Sequence, residues 1–365
     1  MIVEFYPETD SFGCNNLKSL ITHIEYYQTT NQILYGSKFI EFKFTNTPSS
    51  DSIFVTDIFE LYKRPNIKFS EKNIIVVETL IQFKQLVSRK LLDLSKQYYI
   101  ISESYWDTNK YQFENVNYTL LYYSWELNDF QNRITNRDNV YHHLNYTNVP
   151  NQYEPVYDFL CLAGRGKPWR NVFIKHLLEK VDVSNSLVSY FGKNLGSKDL
   201  LELDINYSRE QNTFEQEFYK PINDFKHSYV RSYFTKPELF SKTKFSVIVE
   251  TEAENNEYHV TEKTLKCLVT GHPFIVIGTY KYLEFLQNMG FVTWGSEFSE
   301  DYDNIINLED RIIEVVNTAA KLMKFNFDKS KLLEMQKHNL HNLCRLREDN
   351  FYKKFLLTFN DYNNN

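Results

Sequence analysis

The segment from Phe245 to Lys263, FSVIVETEAENNEYHVTEK, ends an apolar run in a carboxylate, Glu250, and carries a polar loop into Thr-Glu-Lys at the start of a helix-forming stretch. Open α/β sheets bind their ligands at such strand carboxyl ends. Thr261 is a good N-cap, and Leu265, Leu268 and Val269 give the helix one apolar stripe. Lys263 in the first turn runs against the helix dipole, whose positive end disfavours cations. An anion such as a diphosphate, bound by free backbone N–H groups, would compensate it. Glu262 beside it can accept hydrogen bonds from ribose hydroxyls. The plainer reading of the pair is a solvated first turn, where Glu is common.

A second cationic helix start lies upstream. Arg165, Lys167 and Arg170 surround a helix opened by Pro168, PWRNVFIKHLLEKV, so side-chain cations and helix dipole add at one point. A solvated basic turn is the alternative. Two such starts in separate strand-helix units are better evidence than either alone. Gly164-Arg165-Gly166-Lys167 falls short of a Walker loop, because Cys161 replaces its first glycine and Pro168 its Ser/Thr.

The elements around these residues alternate. In the first half, MIVEFY, KFIEFKF, SIFVTD, NIIVVETL and YYIISES read as strands, with helices expected near residues 15–27 and from Phe83 to Gln97. A polar stretch at residues 126–155 reads as a domain boundary. In the second half VYDFLCLAG, SLVSYFG, KFSVIVE, HPFIVIG and FVTW read as strands, alternating with helices over PWRNVFIKHLLEKV, TEKTLKCLVTG, KYLEFLQNMG and NLEDRIIEVVNTAAKLM. Strands alternating with helices imply parallel βαβ units. The expected fold is α/β, with two doubly wound Rossmann-like domains facing across a cleft: residues 1–150, residues 151–328, and a helical tail at 329–365.

Composition narrows the function classes. Of 365 residues, 42% are hydrophobic and 24% charged, the balance of a folded chain rather than a disordered one. A net charge of −6 provides no basic field of the kind that neutralises duplex phosphates, so no nucleic-acid partner is expected. Cys14, Cys161, Cys267 and Cys344 form no C-x-x-C pair. MIVEFYPETD lacks the basic start and apolar run of a signal peptide, and no stretch has the ~18 apolar residues of a membrane span. The expected compartment is the cytoplasm.

The order strand, Glu250, polar loop, Val260-Thr261-Glu262-Lys263, helix and Pro273-Phe274-Ile275-Val276-Ile277-Gly278 resembles the donor-binding motif of the α1,3-fucosyltransferase family in its divergent viral or bacterial form. The resemblance covers residues 157–325 and is most specific over 245–278. It implies a GT-B fold and transfer of fucose, with inversion, from GDP-fucose to a glycan or other hydroxyl acceptor. It also implies no metal for the chemistry and no cofactor beyond the nucleotide-sugar donor. Here Thr251 follows Glu250 where the family has Asn, the loop before Val260 is longer, and His259 falls on the family's Tyr with Tyr258 beside it.

Carried over position by position, the resemblance implies a donor site of Arg170, Glu250, Thr251, Tyr258, His259, Thr261, Glu262 and Lys263, to which the cationic helix start at Pro168 adds Arg165. Glu262 would hold the ribose, and Lys263 and Arg170 the diphosphate. An inverting transfer needs a base for the acceptor hydroxyl. Glu103, ending YYIISES, is the candidate, with Asp57, Glu78 and Glu126 as alternatives. Two rival readings remain. Asp301-Tyr302-Asp303 matches the D-x-D of Mn-dependent GT-A transferases. A non-catalytic nucleotide-sugar-binding or structural protein would bind nucleotide without turnover. His338, His341 and Cys344 share a helical stretch and suit a polar face better than a zinc site.

Overall fold

The computed structural model describes residues 2–5, 41–44, 53–57, 61–62, 69–77, 79–113, 116–124, 146–163, 167–190, 237–254 and 257–349. The chain divides into two compact units, residues 1–125 with 347–365, and residues 126–346. The helix expected near 15–27 and residues 191–236 lie outside the described residues.

In the first unit, β1 (Ile2–Phe5), β2 (Glu41–Phe44), β3 (Ile53–Asp57), β4 (Lys72–Val77), β5 (Gln97–Ser102) and β7 (Asn117–Tyr122) form a sheet in the order β2-β1-β3-β4-β5-β7. Every pairing in it is parallel. The two-residue strand β6 is Tyr105–Trp106. Residues 73–77 and 98–102 are buried without alternation, as parallel strands are when both sheet faces are covered.

Helix α1 (Leu80–Ser88) is capped by Thr79, whose hydroxyl accepts from Gln82 N at 3.4 Å. It buries Leu80, Phe83 and Leu86, with Phe83 stacked on Trp106 at 6.2 Å. The leucine spacing predicts a helix reaching Gln97, but α1 stops at Ser88. Lys90 turns into the left-handed region (φ 55°), Leu91 N donates back to Leu86 O at 3.1 Å, and the later leucines fall in a loop.

The second unit contains β8 (Tyr157–Leu162), α2 (Pro168–Lys180), β9 (Leu187–Ser189), α3 (Pro237–Ser241), β10 (Thr243–Val249), β11 (Glu257–Tyr258), α4 (Glu262–Thr270), β12 (Phe274–Ile277), α5 (Tyr282–Asn288), α6 (Leu308–Leu322) and, as far as Leu346, α7 (Lys329–Asp349). Its parallel sheet runs β12-β10-β8-β9. From β8 the chain moves to β9 on one side and then to β10 on the other. That reversal places the switch point beyond the carboxyl ends of β8 and β10. The chain is thus mixed α/β with parallel sheets, compatible with a Rossmann-like fold.

Phe291–Trp294, expected as a strand, runs as a loop. Asn339 of α7 takes both polar groups of Val292, accepting from its N at 2.8 Å and donating Nδ2 to its O at 3.1 Å, which are the groups a strand ladder would need. Gln336 and Asn342 of the same helix donate to Val269 O and Met289 O, each at 3.0 Å, so a row of buried amides ties α7 to the ends of α4 and α5. Gly271 follows α4 in the left-handed region (φ 61°), where a Cβ would come 2.1 Å from Leu332 O. Among the described residues no helix is long and apolar enough to cross a membrane.

Candidate functional site

Glu250 leaves the end of β10 fully buried. Its Oε1 accepts from Thr264 Oγ1 at 2.5 Å, Tyr282 Oη at 2.8 Å and Thr261 N at 3.4 Å. Its Oε2 accepts from Thr261 Oγ1 at 2.6 Å and Thr251 N at 3.2 Å. The carboxylate is therefore satisfied by neutral donors from the loop, the first turn of α4 and the start of α5. Glu250 faces inward, and what it sets is the position of Thr261, which caps α4 by accepting from Lys263 N at 3.4 Å.

Arg170, in the first turn of α2, is 5% exposed and donates Nη2 to Glu250 O at 2.8 Å and Val249 O at 3.4 Å. Burial lowers its pKa, against the opposing fields of Glu250, Glu252, Tyr190 and Glu262. Beside it, Asn171 accepts from the Tyr190 hydroxyl. Lys167 donates to Thr251 O and to Glu252 Oε1, the latter at 2.8 Å. Arg165 lies outside the described residues.

Glu262 is 5% exposed. Its burial alone would raise its pKa, but Lys263 and Lys266 outweigh that and hold it down at about 2. Lys263 Nζ reaches Glu262 Oε1 at 3.2 Å and Thr261 Oγ1 at 3.3 Å, with its side chain 22% exposed. Lys263, Thr261, Glu250 and Arg170 thus form one connected network across two helix starts and one strand end.

Tyr258, which ends β11, and His259 precede Thr261. Tyr258 stacks nearly flat on Phe285, 4.5 Å between centroids, and burial raises the pKa of its hydroxyl. His259 is half-buried. Arg311 of α6 donates Nη2 to Ala253 O at 3.0 Å and Nη1 to Ile306 O at 3.2 Å, fastening the loop after β10 from outside the motif.

Sequence reasoning missed Thr264, Tyr282 and Arg311. Thr264 carries a signal, since it lies one turn beyond Thr261 and is polar where the stripe is apolar. Tyr282 and Arg311 carry none short of the folded chain.

Asp303 accepts from Leu283 N at 3.1 and 3.0 Å and from Glu284 N at 3.2 Å, capping α5. Asp301 is exposed and accepts from Ser299 Oγ at 2.6 Å. The two carboxylates of the D-x-D thus serve different local structures. Among the described residues no group of three or more His, Cys, Asp or Glu could hold a metal ion. His338 Nε2 lies 3.2 Å from Gly290 O, and His341 and Cys344 are exposed.

In the first unit, Glu103 follows β5 and is 4% exposed, near the buried Tyr122, whose raised hydroxyl pKa it reinforces after burial itself. Asp57 closes β3 opposite Val76. Glu78 and Glu126 lie outside the described residues. No family model matches the chain, and no curated protein matches it.

Proposed function

We propose that the chain is a GT-B-like glycosyltransferase that transfers a sugar, with inversion, from a GDP-linked donor to a glycan or other hydroxyl acceptor, with GDP-fucose the first donor to test. One observation carries the reading: Arg170 and Lys263, at the starts of two different helices, are both tied to the end of β10 through Glu250. That strand borders the reversal point of its sheet, where α/β proteins bind nucleotides. The resemblance over residues 245–278 assigns the nucleotide, and the network supplies a physical basis for it.

In this reading Lys263, with Lys167 and the field of Arg170, stabilises the charge that grows on the departing diphosphate. Glu262, ionised at neutral pH, accepts from the ribose hydroxyls. Thr261 keeps the first turn of α4 in register, and Tyr258 and His259 line the approach to it. Glu103 of the first unit is the candidate acceptor base.

Donor turnover tests the reading. GDP release from GDP-fucose in the presence of hydroxyl acceptors should be abolished in Lys263→Ala while its unfolding midpoint stays near that of the wild type. Turnover undiminished in the variant contradicts the assignment of Lys263, and release of GDP from no GDP-sugar by the wild type contradicts the activity.

A further inference from the structure

The switch point of the second sheet is spanned by an ion pair. Lys167, the residue before Pro168, reaches from the loop after β8 to the loop after β10, donating Nζ to Glu252 Oε1 at 2.8 Å and to Thr251 O. The side chains are 34% and 13% exposed, so the pair is partly shielded from water and salt.

The three carboxylates around this point are not equivalent. Glu250 is engaged by neutral donors, and Glu262 is paired with Lys263 within the same helical turn. Glu252 pairs with Lys167 across the two strand ends, and its field reaches Arg170 together with those of Glu250 and Glu262. An anion arriving between β8 and β10 meets a cation that already has a carboxylate partner.

We infer that Glu252 is an internal competitor at this site, a carboxylate that a phosphate ligand must displace from Lys167. The inference rests on the nucleotide-binding reading above. A diphosphate brings more charge and more acceptor oxygens than one carboxylate and can take Lys167 from it, whereas a monophosphate competes less well. The cost of opening the pair lowers the affinity of any ligand that engages Lys167.

The test is calorimetric titration of GDP and GMP into the wild type, Glu252→Gln, Lys167→Met and the double variant at one ionic strength. Glu252→Gln should bind GDP about tenfold more tightly than the wild type, the size expected for freeing one partly shielded charged partner, and should tighten GMP by no more than that. A tightening is not produced by damage to the fold. In the Lys167→Met background the same substitution should tighten binding much less, since only the field of Glu252 on Arg170 remains, which separates the pair from a general reduction in negative charge. GDP and GMP affinities unchanged or weakened by Glu252→Gln would overturn the inference and leave the nucleotide reading standing. No binding of GDP by any of the four proteins would overturn both.

Discussion

The hydroxyl of Tyr282 donates to Glu250 Oε1 at 2.8 Å, so the first residue of α5 helps to orient the carboxylate that closes β10. Through Thr261 that carboxylate also sets the first turn of α4. The order of dependence is β10, Glu250, Thr261, Lys263, with Tyr282 and Thr264 as buried supports.

Replacing Tyr282 with Phe keeps the ring and removes one donor from a fully buried acceptor, which should cost about 1–3 kcal/mol in urea unfolding. Gly278→Ala places a Cβ 2.7 Å from Tyr282 Cγ and should displace the same ring. Both changes break one bond, so the double variant should lose less stability than the two single losses added together. Full additivity would separate Gly278 from the Tyr282–Glu250 contact.

His272, fully buried beside Phe240 and Tyr153, is held neutral by its burial, with its pKa lowered to about 3. The unfolded chain takes up a proton below the ordinary histidine value near 6.5, and the folded chain does not until about pH 3. Stability should therefore fall with acidification between those limits, by about 1.4 kcal/mol per pH unit at most. Unfolding measured from pH 7 to pH 4 should show a shallower decline for His272→Leu than for the wild type. Parallel curves would mean that His272 ionises in the folded protein.

Glu262 has the opposite chemistry and the same direction. Its carboxylate is kept ionised down to about pH 2 against an ordinary value of 4.5, so its contribution is present above 4.5 and is lost as pH falls toward 2. Glu262→Gln should lower stability at pH 7 by about 2–3 kcal/mol, with the gap to the wild type closing on acidification. A gap that stays constant from pH 6 to pH 3 would rule out the Lys263 and Lys266 fields as its source.

The alternation of parallel strands and helices was legible because strands covered on both faces read as nearly continuous apolar runs, as in FSVIV, interrupted only by Ser246, and FIVI. FVTW is likewise built of aromatic and β-branched residues, and what takes up the backbone groups of Val292 is Asn339, 47 positions on. The start of α4 was legible from Thr261. The inward turn of Glu250 was not, since its partner Tyr282 lies 32 positions away. Nor does a sequence say whether an Arg in a first turn faces a ligand or a carbonyl of its own chain. Arg170 does the latter, at Glu250 O.

The central claim, that the network around Glu250 and Lys263 receives a guanosine diphosphate, is tested most directly by thermal shift against GDP, UDP, CDP, dTDP and their common sugars, with and without Mn²⁺. Selective stabilisation by GDP and GDP-sugars, independent of Mn²⁺ and lost in Lys263→Ala, is the predicted result. Stabilisation by UDP only with Mn²⁺, or by no nucleotide at all, would contradict it.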